Sequence, residues 1–274
     1  EAHASVRAKA HFLRAEVLLL GGAWDEAAAA ARDAARGREK SSQTSDRVRS
    51  LLESAKRAKL SRDEIEADVA SGKNERAMRR ATDVLRSVAP RAVDVLLLRA
   101  RAAVAARACG RAKADIAEAL RLDPAGADAR FVLADALRRC GSSAGFSLEE
   151  RDGRRSSRVV EKNDGPTAFA ARALEASAVA LRDCLRVDPG NAQCASRRRR
   201  DLAATRALAA AADADAERDW ENALAALDAF AALDDDGAFR VETDAAACRA
   251  ASLRARAFGS GGSESSSDAG KEER

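Results

Sequence analysis

The stretch that decides the fold is residues 93–126, which read VDVLLLRARAAVAARACGRAKADIAEALRLDPAG. Two prolines bracket this stretch: Pro90 comes before it and Pro124 lies near its end, 34 residues later. Apolar periodicity predicts one helix from Val93 to about Ala106 and a second from Arg111 to Leu122. One such helix pair cannot bury its apolar face alone, so the pattern predicts further copies along the chain.

A spacing of 34 residues is the period of the tetratricopeptide (TPR) repeat. Small or apolar side chains then fall where the two helices must touch, at Ala100, Ala112, Ile116 and Ala119. The proline ends the second helix without leaving an unused backbone donor, and Gly110 lies near the turn. The sequence therefore predicts an all-α fold, a TPR-type α-solenoid in which antiparallel helix pairs form a right-handed superhelix.

Composition supports close-packed helices and excludes several classes of protein. Apolar residues make up 46% of the 274 residues, yet only 3% are aromatic and none is tyrosine. The 48 basic and 44 acidic residues leave a net charge of +4, so no concentrated basic field for nucleic acid is expected. No apolar run reaches the length of a membrane span, and no signal peptide is visible. The chain begins at Glu1, which indicates a fragment of a longer protein.

The same pattern predicts about five helix pairs along the chain. Trp220-Glu221-Asn222-Ala223 repeats the start of an earlier second helix, Trp24-Asp25-Glu26-Ala27. A long helix from about Asp46 to Ala70 joins two parts of the array. The predicted divisions are an N-terminal helix pair (1–45), central repeats (46–191), a linking helix with a further repeat (192–258) and a disordered tail (259–274).

The spacing of the prolines is interrupted once. Pro189 follows Pro124 by 65 residues, and the excess lies in residues 142–165, which are rich in Ser, Gly, Arg and Glu. This composition predicts a disordered insertion between two helices of one repeat, after Gly141. The second helix of that repeat is predicted from about Thr167 to Arg186.

The chain offers poor material for catalysis, and we expect no enzyme, cofactor or metal site. The only histidines are His3 and His11, eight residues apart, and two surface histidines explain them better than metal ligands do. The acidic group from Asp234 to Asp236 is interpreted as a solvated turn. The basic run from Arg197 to Arg200 points around a helix, so it is interpreted as a solvated helix start.

The first helices of a TPR array line its concave face, and this face predicts the binding site. An apolar row flanked by charge suits an extended or unfolded peptide. The alternative is that the phenylalanines merely pack between repeats, and the sequence leaves both open. The apolar positions are Phe12, Leu97 and Phe131, and the charged positions four residues later are Glu16, Arg101 and Asp135.

The five cysteines fall into three groups. Cys109 and Cys140 lie near turn positions and are interpreted as small packing residues. Cys184 and Cys194 bracket a loop between repeats, where a short disulfide is conceivable although spacing alone favours free thiols. Cys248 has no evident partner.

The helical segments and cysteines described above resemble those of the TPR co-chaperones of DnaJ subfamily C, member-three type, which are also known as inhibitors of eIF2α kinases. The resemblance rests on Leu98-Arg99-Ala100 with 112–122, on Cys184 through Cys194, and on the long helix that runs from Cys194 to Trp220. It covers most of residues 5–257 and matches the middle repeats of a longer array. Arg107, where that family has a turn glycine, is a departure, and so is the insertion.

The resemblance implies a protein of the endoplasmic-reticulum lumen that holds misfolded polypeptide and passes it to an Hsp70. The J domain that contacts the Hsp70 is absent from these residues, and an eIF2α kinase is a further implied partner. The resemblance also implies a disulfide between Cys184 and Cys194, because that compartment is oxidising. The rival hypothesis is a cytoplasmic TPR adaptor that binds one specific folded protein. Neither hypothesis includes nucleic acid or a membrane.

Overall fold

The computed structural model describes residues 2–36, 42–141, 166–234 and 237–260, and within these ranges the chain is helical with no strand. This confirms the predicted all-α class. None of the described helices has the length and apolarity needed to cross a membrane. The helices are α1 (Ala2–Gly21), α2 (Trp24–Arg36), α3 (Ser42–Ala70), α4 (Asn74–Ser87), α5 (Val93–Ala105), α6 (Cys109–Leu122), α7 (Ala127–Cys140), α8 (Pro166–Val187), α9 (Ala192–Ala216), α10 (Trp220–Leu233) and α11 (Arg240–Ser260).

The predicted helix boundaries agree with the structure to within a few residues. Helices α7 and α10 have the predicted bounds, and α4, α6 and α8 each end two or three residues before the proline that follows them. Gly110 is the second residue of α6 and so lies near the turn, as predicted. One expectation was wrong in detail, because α11 continues through Gly259 to Ser260, two residues into the predicted tail. The predicted insertion at 142–165 and the tail from residue 261 lie outside the described residues.

Four helix pairs turn through the same backbone motif, in which one residue has a left-handed conformation. That residue is Gly22, Gly72, Arg107 or Arg218, with φ between 57° and 85°. At each turn its amide donates to the carbonyl three residues before it, and the next amide donates to a carbonyl five residues back. This is the Schellman motif, which usually employs glycine because a Cβ strains the left-handed conformation. The turn of the pair α5–α6 is thus made by Arg107, the position at which the resemblance expects glycine.

An alanine stands five residues after each of these four turn residues, and all four alanines are buried. They are Ala27, Ala77, Ala112 and Ala223, each at most 2% exposed. A small side chain at this position lets the second helix approach the first closely. In the pair α5–α6, Ala100, Ile116 and Ala119 are also buried, as the 34-residue spacing predicts.

The chain forms two compact units, and each is described by itself. The first comprises residues 1–136 with 183–189, and the second comprises 137–182 with 190–274. In the first unit the pairs α1–α2, α3–α4 and α5–α6 pack internally, and α2 and α4 also pack on the first helix that follows each of them, α3 and α5. One cluster of its core joins Ala15 of α1, Ala31 of α2 and Leu51 of α3. The divisions predicted from the sequence stay a prediction.

The second unit has a core rich in alanine and leucine with two phenylalanines. Leu174, Leu208, Phe230 and Phe239 belong to one buried cluster drawn from α8, α9, α10 and the turn before α11. The ring centres of Phe230 and Phe239 lie 6.1 Å apart, and the angle between the ring planes is 55°. Aromatic pairs prefer such tilted arrangements to face-to-face stacking. Helix α10 packs on both α9 and α11.

A network of buried charges crosses this second core. Arg138 of α7 is 2% exposed and donates to the carboxylates of Asp201 on α9 and Asp234 at the end of α10. Ser177 Oγ of α8 donates to the second oxygen of Asp201 at 2.6 Å. The guanidinium of Arg138 also lies 5.5 Å from the centre of the Phe239 ring. Elements distant in sequence are therefore joined through one arginine.

Two sequence interpretations are corrected by this network. Asp234 is not a solvated turn residue, because its side chain is 5% exposed and accepts the amides of Ala238 and Phe239 besides Arg138. The start of α9 is not wholly solvated either. Arg197 is 17% exposed, and its Nε lies 3.8 Å from the Asp201 carboxylate.

A further buried carboxylate lies near the turn between α3 and α4. Asp68 is 2% exposed and accepts hydrogen bonds from Nε and Nη2 of Arg76, with Nε at 2.8 Å, while Arg80 Nη1 lies 3.6 Å away. The hydrogen bond from Arg76 lowers the pKa of the Asp68 carboxyl below its ordinary value, against the opposing effect of burial. Because the folded pKa is lowered, this stabilisation is present above the pKa of the unfolded chain and is lost as the pH falls.

Candidate functional site

A cleft lies between the first helices α1 and α3 of the first unit. Its volume is about 270 Å³. Apolar side chains and charged or hydroxyl side chains share its lining, and α1 and α3 pack directly against each other. Such a mixture suits a segment that presents one apolar side chain within a polar backbone. The lining residues are Phe12, Glu16, Leu19, Arg47, Ser50, Leu51 and Ser54.

Phe12 is the aromatic centre of this cleft. Its half-buried ring packs against the core cluster that contains Ala15 and Leu51, so its position is fixed by the fold. The guanidinium of Arg47, on α3, lies 5.4 Å from the ring centre. A cation–π contact at an exposed site contributes about 0.5–1 kcal/mol. Arg47 therefore covers one face of Phe12 through a weak interaction that a ligand can displace.

The other predicted binding residues differ in their exposure and in whether they line this cleft. Glu16 lies in the cleft with Phe12. Leu97 of α5 is only 6% exposed, so its side chain packs in the core and offers little surface to a ligand. Arg101 of α5, together with Phe131 and Asp135 of α7, is half-buried. The described contacts bring Phe12 together with Glu16 but not with the residues on α5 and α7.

Sequence reasoning missed the contribution of α3 to the cleft. The N-terminal half of this long helix was interpreted as a connection, yet it supplies Arg47, Ser50, Leu51 and Ser54. These residues recur at intervals of three or four, which places them on one face of a helix. That periodicity was the available signal. The sequence did not indicate that α1 and α3 pack together, so it could not show which face of α3 would lie beside Phe12.

Asp94 lies in the first turn of α5, where burial changes the pKa of its carboxyl group. Burial raises the pKa of the Asp94 carboxyl, an effect that the Val95 amide at 2.8 Å and the nearby Arg62 guanidinium partly offset. Arg62 Nε lies 3.5 Å from Asp94 Oδ2. This acid occupies the second position of α5, three residues before the predicted site residue Leu97.

A second cleft, of about 520 Å³, lies among α4, α5 and α6. Its polar floor is hydrogen-bonded: Arg99 donates twice to Asp115, at 2.9 and 2.6 Å, and once to Thr82 Oγ1 at 3.0 Å. Arg111 reaches Met78 Sδ at 3.7 Å. Acidic and basic side chains line this cleft in similar number, so it favours no particular charge on a ligand.

The cysteines differ from the sequence interpretation at two positions. Cys109 and Cys140 are disulfide-bonded, so their interpretation as merely small packing residues was wrong. Cys184 and Cys194 are also disulfide-bonded, but their bond to each other stays a prediction. Cys248 is free and exposed. Within the described ranges no group of three or more His, Cys, Asp and Glu side chains is arranged to hold a metal ion.

Comparison with known proteins identifies a fold and no family. No protein-family model matches the chain, and no curated protein matches it. A solved structure described as "Crystal Structure of P58(IPK) TPR Domain at 2.5 A" matches with a TM-score of 0.51 and 15% identity. The match covers 92% of this chain and 61% of the solved one. At this identity the likeness shows a TPR-type fold alone, a fold typical of scaffolds for protein partners.

Proposed function

We propose that this chain is the polypeptide-holding arm of a co-chaperone, which captures unfolded or misfolded segments and presents them to an Hsp70. The observation that carries the proposal is the cleft of Phe12 between α1 and α3, with its apolar floor and charged rim. Delivery to the Hsp70 would need a J domain outside these residues. The TPR-type fold supports the general proposal that the chain binds a protein partner. That this partner is an unfolded polypeptide is the more specific part of the proposal.

The shape and chemistry of the cleft suit reversible capture. A volume of about 270 Å³ accepts roughly one large apolar side chain at a time, not a folded surface. Burying one such side chain contributes about 1.5–3 kcal/mol, so each contact is weak and a client is held through several of them. Glu16 and Arg47 at the rim offer partners of either charge to the residues that flank the captured side chain.

Replacing Phe12 or Phe131 with aspartate should weaken binding of a denatured client by about tenfold, because each change removes one apolar contact worth about 1.4 kcal/mol or more. The measurement is fluorescence anisotropy with a labelled, reduced and carboxymethylated model protein. Helicity is followed by circular dichroism.

Leu60→Asp serves as the matched control, because Leu60 is 57% exposed on α3 and does not line the cleft. Its affinity for the same client should stay within twofold of the unaltered chain. If both phenylalanine variants keep their helicity and bind as tightly as the control, the client site lies elsewhere. Binding of a folded partner without any denatured client would favour an adaptor instead.

We place this activity in the lumen of the endoplasmic reticulum. Four disulfide-bonded cysteines support an oxidising compartment, since disulfides are rare in cytosolic proteins. A role toward an eIF2α kinase rests on the sequence resemblance alone and is part of the same proposal.

Peptide mapping of native protein without reductant should recover Cys184 and Cys194 as a single crosslinked species. The expected result follows because both are oxidised in the structure and lie ten residues apart across one turn. Cys248 provides the internal control, because it is exposed and free and should be alkylated quantitatively. Alkylation of all five cysteines in native material would favour the cytoplasmic adaptor.

A further inference from the structure

Arg47 covers the face of Phe12 that an apolar client side chain would have to reach. Its guanidinium lies 5.4 Å from the ring centre, and the ring also packs against the core cluster of Ala15 and Leu51. Arg47 is exposed, and none of the described carboxylates lies within ion-pair distance of it. A captured side chain therefore displaces Arg47 from Phe12 and brings client atoms against an unpaired cation.

The two walls of the cleft differ in chemistry. Ser50 and Ser54 stand three and seven residues after Arg47 on α3, and all three line the cleft. A guanidinium binds a carboxylate through two parallel hydrogen bonds, and a hydroxyl can donate to the same group. The wall formed by α1 instead presents Phe12 with one acid, Glu16. The cleft therefore suits a ligand that is apolar on the side facing α1 and acidic on the side facing α3.

An extended polypeptide can present these two sides, because its successive side chains point in opposite directions. When one apolar side chain points at Phe12, the residues before and after it point at α3. These two residues are about 7 Å apart in an extended chain. Arg47 and Ser54 are about 10 Å apart along their helix. Both flanking side chains therefore lie within reach of the α3 wall.

The net charge of the chain is concentrated on the two helices that form the cleft. Helix α1 and the first part of α3, residues 42–58, contain seven basic and three acidic residues. Their net charge of +4 equals that of the whole chain, so the remainder is neutral by formal count. Such a field speeds the association of negatively charged segments. The basic residues are Arg7, Lys9, Arg14, Arg47, Arg49, Lys56 and Arg57, and the acids are Glu16, Asp46 and Glu53.

We propose that this cleft selects extended client segments in which an apolar residue is flanked by aspartate or glutamate, and that Arg47 recognises the acid. The proposal rests on the proposed function, because it names which unfolded segments the cleft holds. Glu16 sets the register, since it repels an acid that points at the α1 wall and leaves the acids to face α3. The recognised carboxylates belong to side chains within the segment, so no free chain terminus is needed.

Three peptides that differ only beside a central phenylalanine test the selectivity. They carry Asp-Phe-Asp, Asn-Phe-Asn or Lys-Phe-Lys in one Gly/Ser context, with acetylated and amidated ends that exclude terminal charges. In fluorescence anisotropy at low salt, we expect the Asp peptide to bind about tenfold more tightly than the Lys peptide, with the Asn peptide between them. The difference should shrink as salt is added, because exposed ion pairs are screened.

Arg47→Glu should reverse the order of the three peptides, and Arg47→Gln should remove the preference. Arg14→Glu is the matched control. It changes the net charge of the chain by the same amount as Arg47→Glu, and Arg14 is exposed on α1, but it does not line the cleft. Its preference for the Asp peptide should stay within twofold of that of the unaltered chain. Circular dichroism verifies that all three variants keep their helicity.

Three results would overturn the proposal. The first is equal affinity for the three peptides in a chain that binds a denatured client, which leaves the proposed function standing. The second is a reversal by Arg14→Glu as strong as that by Arg47→Glu, because net charge alone would then explain the preference. The third is displacement of the Asp peptide by an oligonucleotide of equal charge as readily as by the unlabelled peptide, which would indicate a general polyanion site.

The denatured client separates this proposal from the proposed function. A chain that prefers the Asp peptide in the expected order but binds no denatured client would retain the selectivity and overturn the role in holding unfolded protein. A chain that binds neither the peptides nor the client would overturn both.

Discussion

Replacing Arg138 with leucine should lower the free energy of unfolding by about 3–5 kcal/mol, because it removes the buried cation that two buried carboxylates share. Asp201 and Asp234 would both remain in the core, where their side chains are 0% and 5% exposed. Water cannot reach these oxygens without opening the contacts among α8, α9 and α10. The measurement is urea denaturation followed by far-ultraviolet circular dichroism.

Arg121→Leu is the matched control for this prediction. Arg121 also pairs with a carboxylate, Glu118, but its side chain is 62% exposed, and such surface pairs contribute about 0–1 kcal/mol. The double variant Arg138→Leu with Asp201→Leu should lose less than the two single variants together, since it removes both charges. A loss for Arg138→Leu no larger than that of Arg121→Leu would show that the buried charges are not coupled.

Gly22→Ala should lower the free energy of unfolding by about 2–4 kcal/mol, because strain and overpacking act at the same atom. Gly22 has a φ of 85°, and a Cβ there would lie 2.8 Å from the Cβ of Ala92. Ala92 belongs to the loop before α5, which is held close by the Arg91 amide donating to the Leu20 carbonyl at 3.1 Å. Neither backbone can retreat without breaking this contact.

Gly72→Ala separates the two contributions. Its φ of 72° imposes the same left-handed strain, but a Cβ at Gly72 would meet no atom within 4 Å. The expected loss is therefore about 1–2 kcal/mol, from backbone strain alone. Thermal and urea denaturation of the two variants, compared side by side, measure the difference. Equal losses would mean that the contact with Ala92 gives way at no cost.

Most of the fold was accessible from the sequence because its signals are local. Helix periodicity, the prolines at 90, 124 and 189, and small residues at fixed offsets each act within one repeat. The turn at Arg107 could be located only through the family resemblance, which expects a glycine at that position. The arginine there adopts the left-handed conformation of a turn glycine.

The candidate site was predicted in part. Phe12 and Glu16 followed from their position in the first helix, but Arg47 and Leu51 did not, because they come from a helix about 35 residues away in the sequence. Leu97 occupies the equivalent position to Phe12 and is nevertheless buried. Equivalent positions in a repeat share a direction on their helix, whereas exposure depends on which neighbours pack there.

The sequence by itself determined the helices, their pairing and the positions of closest approach, because each depends on side chains a few residues apart. Only the tertiary structure decided which charges are buried. Arg138, Asp201 and Asp234 lie up to 96 residues apart and look like ordinary solvated residues in the sequence. The cost of burying a charge is offset by partners from other helices, so their roles appear only once those helices are packed.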